Sequence, residues 1–394
     1  VTGPDPDVLI AGGGPVGMVA AFALHRAGVR TLLLEAAPTT HEDLRASTFH
    51  PPTLEMLEGL GLLSGLLPQG LKAPVIQYRI RRTGTVLPFD LGELADITPF
   101  PFRLQCEQWK LVRAVSARLG PVVRFGHRVD AVAQDDTGVT VTAATPDGLE
   151  TLRARYLIAA DGAGSRIRKS LGVGFEGYTW PEKFLTLSTA EPLQAHFDDL
   201  AQVNYVSDPE WWHVLLRVPG LWRVLVAAPY DMPDEALLAD ANIARLFDRL
   251  IGDPSVETRH RTIYRVHQRV AGRFDHGRVL LVGDAAHLNN PLGGLGMNGG
   301  IHDALNLADK LVAILQGADA AELLPRFGRQ RKQVQLDFIQ AQTVQNKAMM
   351  DGSEEARLPL FQALADTLKD PVRRRAHLLR QAMFTSLAEA ASVS

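Results

Sequence analysis

The sequence predicts an α/β protein: a Rossmann-like nucleotide-binding domain interleaved with an antiparallel-sheet domain and followed by a helical C-terminal region. Three observations carry this. Residues 8–35 alternate a short apolar run, a glycine cluster, an Ala-rich apolar stretch and a second apolar run. Residues 183–230 hold four short runs rich in β-branched and aromatic residues, separated by turn formers. From Met297 onward the chain reads as helices, broken at Gly317, Gly352 and Pro371.

Each element follows from its local pattern. Val8–Ala11 is wholly apolar, as in a strand buried on both faces. Val16–Ala27 is long enough for a helix, and Thr31–Leu34 is the next strand, ending at Glu35. Pro38, Pro51 and Pro52 mark a loop before a helix near Thr53–Leu62. Residues 74–90 form a hairpin turning at Thr83-Gly84, and Gln105–Leu119 is helical. Several short strands fill residues 122–160, with turns at Asp135–Gly138 and Pro146–Gly148, and the last of them is Tyr156–Ala160. Antiparallel strands are expected at Phe184–Thr189, Val203–Val206, Trp211–Val218 and Leu221–Ala227. A helix near Asp234–Leu250 and a buried strand at Arg278–Val282 follow.

Composition narrows the function. The 394 residues are 46% hydrophobic and 22% charged, which allows a sizeable core. A net charge of -3 gives no basic excess for nucleic acid or an anionic membrane, and the Arg373–Arg375 run reads as a solvated helix face. One cysteine, Cys106, excludes an internal disulfide and argues against a Cys-based metal site. It fits a reducing compartment, so a cytoplasmic location is expected. The N-terminal stub and the interrupted apolar residues after it suggest neither a signal peptide nor a membrane anchor.

Gly12-Gly13-Gly14-Pro15-Val16-Gly17 is a GxGxxG between a strand and a helix. Gly12 permits the tight turn, Gly14 lets a pyrophosphate approach the backbone, and Gly17 lets helix and strand pack closely. Pro15 belongs to this cluster, and the N-terminus of the helix that follows offers N–H groups to phosphate. Glu35 ends the second strand about twenty residues on, where an acid accepts hydrogen bonds from ribose. This is a dinucleotide site, with FAD and NAD both open.

A second motif runs from Gly277 through Gly283-Asp284-Ala285-Ala286-His287 to Pro291-Leu292-Gly293-Gly294-Leu295-Gly296-Met297-Asn298, with Asp303, Asn306 and Lys310 on the helix beyond. It resembles the second FAD fingerprint of the class A flavoprotein aromatic hydroxylases, the para-hydroxybenzoate hydroxylase superfamily. The resemblance implies that Gly283 and Asp284 meet the ribityl chain. It also implies that the turn Gly294–Asn298, with Gly296 and Met297, presents N–H groups to the flavin, with Pro291 beside the cofactor. Asp161-Gly162-Ala163-Gly164-Ser165-Arg166-Ile167-Arg168 resembles the family's DGxxSxVR motif, with Ile167 for Val, and implies Asp161 near the pyrophosphate. Arg45, in Arg45–Glu55, and Arg103 with Gln105 resemble the family's remaining flavin-side residues. The likeness covers residues 6–315. It implies FAD-binding parts at 1–73, 101–180 and 266–320, a substrate domain at 74–100 and 181–265, and C-terminal helices at 321–394.

Within the substrate domain, Tyr205, Trp211, Trp212, His213, Arg217, Trp222 and Arg223 cluster in sequence. Alternation places Trp211, His213, Leu215 and Arg217 on one strand face. Arg217 and Arg223 resemble the paired arginines of benzoate-hydroxylating relatives, and a substrate carboxylate or phenolate would suit them. The alternative is two surface arginines flanking Pro219-Gly220. Tyr205, Trp211, His213 and His50 are the other substrate-side candidates, the histidines reading as structural before catalytic. No side chain is assigned as catalytic, and no metal site is expected.

The resemblance thus implies a single-component FAD monooxygenase. It would use NADH or NADPH and dioxygen, through a flavin C4a-hydroperoxide, to hydroxylate a small phenol or hydroxylated heteroaromatic ring. A monomer or homodimer is expected. A ubiquinone-type hydroxylase, a reductase on the same fold and a non-catalytic ligand-sequestering flavoprotein remain as alternatives. The Trp-x-Trp-x-Ile-Pro signature of flavin halogenases is absent.

Overall fold

The computed structural model describes residues 5–42, 46–208, 211–350 and 353–394. Its first sheet is assembled from three distant stretches of chain. The strand order is Asp275–His276, Val279–Leu281, Tyr156–Ala159, Val8–Ala11, Thr31–Glu35, Val123–Phe125. All neighbours are parallel except the Asp275–His276 edge. Val8–Ala11, Tyr156–Ala159 and Val279–Leu281 are continuous apolar runs because helices cover this sheet. Pro15–Arg26 packs against both Leu295–Leu315 and Gln108–Leu119.

The second sheet has eight strands, in the order His287–Leu288, His260–Ala271, Phe175–Thr189, Leu221–Pro229, His213–Val218, Val203–Ser207, Val75–Ile80, Thr85–Asp90. Only Val203–Ser207 with Val75–Ile80 is parallel. Both faces are buried. Leu185, Leu187, Leu215, Trp222, Val224 and Val226 pack against Ile243, Phe247 and Leu250 of the helix Asp240–Ile251. On the other face Phe184, Val203, Tyr205, Val214 and Val266 meet Leu292 and the C-terminal residues Met349, Met350, Phe361 and Leu364.

Several elements differ from expectation. Gln105 does not open the helix. It ends a strand, Arg103–Gln105, that pairs with Thr48–Phe49 and Leu71–Ala73, and the helix starts at Gln108. The expected Asp234–Leu250 helix is two helices, Asp234–Leu238 and Asp240–Ile251, because Ala239 is extended. The strand expected from Trp211 begins at His213. Phe184–Thr189 is the end of a longer strand, Phe175–Thr189, whose pairing shifts register between Thr179 and Lys183. His260–Ala271 is a strand that sequence reading missed. These two long strands run through positions 180/181 and 265/266, where the sequence reading changes domain. The break expected at Gly352 lies outside the described residues. Among the described residues no helix is long and apolar enough to cross a membrane.

Candidate active site

The glycine turn is dictated by close approach. A Cβ on Gly12, whose φ is +106°, would lie 2.2 Å from the Ala160 carbonyl oxygen, and one on Gly17 would lie 2.0 Å from the Gly12 oxygen. Neither position accepts a side chain. Gly14 has nothing within 4 Å of where its Cβ would be, so space is open before the helix Pro15–Arg26, whose N-terminus has no side-chain cap. The Glu35 carboxylate accepts hydrogen bonds from Gly13 N (2.5 Å) and Ala37 N (2.7 Å), which locks the turn to the second strand. Asp161 accepts from Ser165 Oγ (2.6 Å) and Ile167 N (3.2 Å) and so braces its own loop. Gly12, Gly14, Pro15, Glu35 and Asp161 all line one cavity of about 410 Å³.

A second cavity, of about 430 Å³, shares Gly14, Pro15, Gln108, Ala160 and Gly162 with the first. The two form one elongated slot. Its far half is lined by Asp284, Pro291, Gly293, Gly294, Gly296, Met297 and Arg103 and reaches the eight-stranded sheet. Gly294 (φ +68°) turns the chain into the helix Leu295–Leu315, whose N-terminus also lacks a side-chain cap. The slot thus carries an uncapped helix N-terminus in each half, positions that favour phosphate and an anionic ring system. An elongated dinucleotide such as FAD fits this arrangement.

Strand alternation decides which candidates face the slot. Val203, Tyr205, Val214, Leu216, Thr186, Arg223, Leu225, Tyr264 and Val266 line it. Arg217 does not. Its Nη1 donates to Gln194 Oε1 at 3.2 Å, and its guanidinium lies over the Trp222 ring on the opposite face. His213 and Trp211 are also on that side. His213 is fully buried, its Nδ1 lies 3.2 Å from the Trp211 carbonyl, and burial pushes its pKa down to about 4. The Arg81 and Arg249 guanidiniums lie 5.9 and 5.4 Å from the centre of the Trp211 ring. The arginine pair expected from sequence is therefore split across the sheet. Period-two alternation held for Trp211, His213 and Arg217, but the face they share packs on the helix Asp240–Ile251 instead of the cavity.

The family described as an FAD binding domain matches residues 5–342. The chain belongs to it, as a class A flavoprotein aromatic hydroxylase. Para-nitrophenol 4-monooxygenase of a Pseudomonas species is 35% identical over 89% of this chain and 88% of its own. The 6-hydroxy-3-succinoylpyridine 3-monooxygenase of Pseudomonas putida is 31% identical, over 86% and 87%. The crystal structure of p-nitrophenol 4-monooxygenase from Pseudomonas putida superposes with a TM-score of 0.90 at 32% identity, covering 97% of this chain and 98% of that one. This hydroxylase is an FAD-dependent aromatic monooxygenase, and its mixed sheets and C-terminal helices match the flavin hydroxylase fold.

In this hydroxylase several expected cofactor residues, and the substrate-side candidate His50, lie one layer behind the slot. Asn298 is fully buried. Its Nδ2 donates to Thr48 O (2.8 Å) and Gly294 O (2.7 Å), and its Oδ1 accepts from His50 N (3.0 Å). It holds the glycine turn instead of lining the cavity. His50 donates from Nε2 to Gly293 O at 2.9 Å; burial and the Arg103 charge keep its pKa well below the usual histidine range. Gln105 Oε1 accepts from Thr48 Oγ1 at 3.0 Å. Arg103 lines the slot while its Nη2 donates to Gln381 O at 3.2 Å. Gly283 (φ +56°) leaves room for Val16. Arg45 lies outside the described residues.

Two supports were missed as site residues by sequence reading. Arg168 donates to Ala285 O (2.8 Å) and Ala163 O (3.0 Å), tying the Asp161 loop to the Asp284 loop. It stands in a motif already singled out, so its signal was present. Asp303 accepts from Arg331 Nε (2.6 Å), His287 Nε2 (2.6 Å) and Gly283 N (3.1 Å), with all three side chains 1% exposed. Asp303 and His287 belong to a quoted motif, but nothing local in the sequence marks Arg331.

Proposed function

We propose that this chain hydroxylates a small phenolic or hydroxylated heteroaromatic ring with dioxygen, using NADH or NADPH as the reductant. The observation that carries this reading is the continuity of the slot. A dinucleotide groove opens directly into a mainly apolar chamber walled by Val203, Val214, Leu216, Leu225 and Val266, with Arg223 among the lining residues. Bound FAD supplies the redox chemistry, activating dioxygen so that one oxygen atom reaches the ring and the other leaves as water.

The protein's part is placement and exclusion. Gly12, Gly14, Pro15, Gly17 and Glu35 would hold the adenosine and pyrophosphate half, with Asp161 bracing that loop. Asp284 would accept from the ribityl hydroxyls, and the Gly294–Met297 helix start would face the flavin ring. The apolar sheet face keeps water from the reacting oxygen, and Tyr205 and Arg223 orient the substrate. Both relatives named above act, by their names, on single hydroxylated rings bearing a second polar substituent. Arg223 suits such a substituent because a guanidinium presents paired donors.

The test is a panel of phenols and hydroxypyridines added to FAD-loaded protein, followed by NADH or NADPH oxidation, oxygen uptake and product mass. A product heavier by one oxygen atom is expected. Oxidation that no ring stimulates, or that yields only peroxide with every ring, refutes the proposal.

A further inference from the structure

The chamber contains a polar group that the fold does not use. Thr186 sits on the strand Phe175–Thr189, paired with Leu225 on one side and Thr262 on the other. It lines the slot and is only 5% exposed, yet its hydroxyl is buried with no hydrogen-bond partner among the described residues. Alternation confirms the direction: Leu185 and Leu187 pack on the far face, whereas Phe184 and Thr186 are on the near one. A buried strand position is filled equally well by valine, which has the same shape and no polar atom to leave unsatisfied. A buried hydroxyl without a partner calls for an explanation, and an absent ligand supplies one.

Its neighbour indicates the ligand's chemistry. Arg223 pairs with Ser188, two residues from Thr186 along the strand, and projects into the same chamber. A hydroxyl donates one hydrogen, and a guanidinium offers several in a plane. We propose that Thr186 is a substrate-binding residue: with Arg223 it forms the polar end of the chamber and selects rings carrying a planar pair of acceptor oxygens. Nitro and carboxylate groups share that chemistry. This inference rests on the reading of the chamber as a ring site.

The test uses FAD-loaded protein without reductant, so binding is read apart from turnover. 4-Nitrophenol, 4-hydroxybenzoate and phenol are titrated against wild type, Thr186→Val and Thr186→Ser, following the change in flavin absorbance. In Thr186→Val the preference for an acceptor-bearing ring over phenol should fall by about tenfold, and Thr186→Ser should recover most of it. Loss for only one of the two acceptor rings supports the proposal and names the group selected. Thermal unfolding of ligand-free Thr186→Val should match or exceed wild type, because no bond is removed. An unchanged preference in Thr186→Val overturns the inference, as does a lowered unfolding temperature, which would show a structural partner. If wild-type protein binds none of the three rings, the reading of the chamber itself fails, and the wild-type titration alone reveals that.

Discussion

Replacing Asp303 by asparagine should cost far more than an ordinary isosteric change. Among the described residues the Asp303 carboxylate is the counter-charge to Arg331, and it also receives His287 Nε2 and Gly283 N. An amide can accept on one oxygen only, so at least one of these three donors loses its partner and the guanidinium is left buried without a countercharge. Breaking such a pair from one side costs roughly 3–5 kcal/mol. Because Gly283 N is one of the donors, the Gly283-Asp284 loop should also loosen and FAD retention should fall. Urea unfolding of ligand-free protein, followed by far-ultraviolet circular dichroism, measures the stability loss, and flavin fluorescence measures FAD release. The acid limb gives a second reading. Burial would raise the Asp303 pKa, but the His287 and Arg331 charges and hydrogen bonds outweigh it and hold it below the usual carboxylate range. Its contribution is therefore complete above the ordinary carboxylate pKa and is lost as pH falls through the lowered folded value; Asp303→Asn should lack that loss. Replacing the pair together, as Asp303→Leu with Arg331→Met, should cost less than the sum of the two single changes. A loss under about 1 kcal/mol in Asp303→Asn, or additivity in the double variant, would refute the argument.

Three further outcomes are expected. Asp284→Ala should weaken FAD binding by about 1.5–3 kcal/mol, as for a hydrogen bond to a charged group, and equal FAD affinity by equilibrium dialysis would remove Asp284 from the site. Arg223→Lys should raise KM for an acidic phenol and increase peroxide release, whereas Arg217→Lys, on the opposite face, should leave both near wild type; the reverse pattern would refute the assignment of faces. Burial pushes the pKa of His213 and His377 down to about 4 from an ordinary 6.5. The unfolded chain then takes up protons across that window that the folded chain refuses, so stability is complete above it and falls with decreasing pH by about 1.4 kcal/mol per unit per histidine. His213→Leu and His377→Phe should flatten the pH dependence of the urea midpoint, and an unaltered slope would show that these rings are not held neutral.

Much of the cofactor slot was legible because its constraints are local. Gly17 is required by an atom of the same turn and Gly12 by its own positive φ, although a side chain on Gly12 would also strike the distant Ala160, and the strand, turn and helix around them are short-range patterns. The same holds for Gly294 before the long helix. The alternation of Trp211, His213 and Arg217 was equally legible, since a strand's side chains alternate wherever it packs. Which face looks into the chamber was not, because both faces of the eight-stranded sheet are buried among apolar residues. Tryptophan is as much at home against the helix Asp240–Ile251 as in a ligand chamber. His260–Ala271 escaped notice because its arginines and histidines read as polar chain until neighbouring strands supply its hydrogen bonds. Arg331 lies 28 residues from Asp303, and Thr186 has its significance only through what its hydroxyl fails to meet. Sequence alone therefore determined the glycine turns, the strand periodicity and the dinucleotide motifs, because backbone conformation and side-chain alternation leave their pattern within a few residues of chain. Tertiary structure alone decided the facing of the sheet, the buried Asp303–Arg331 pair and the unpartnered Thr186 hydroxyl, because each depends on which distant surface packs against it.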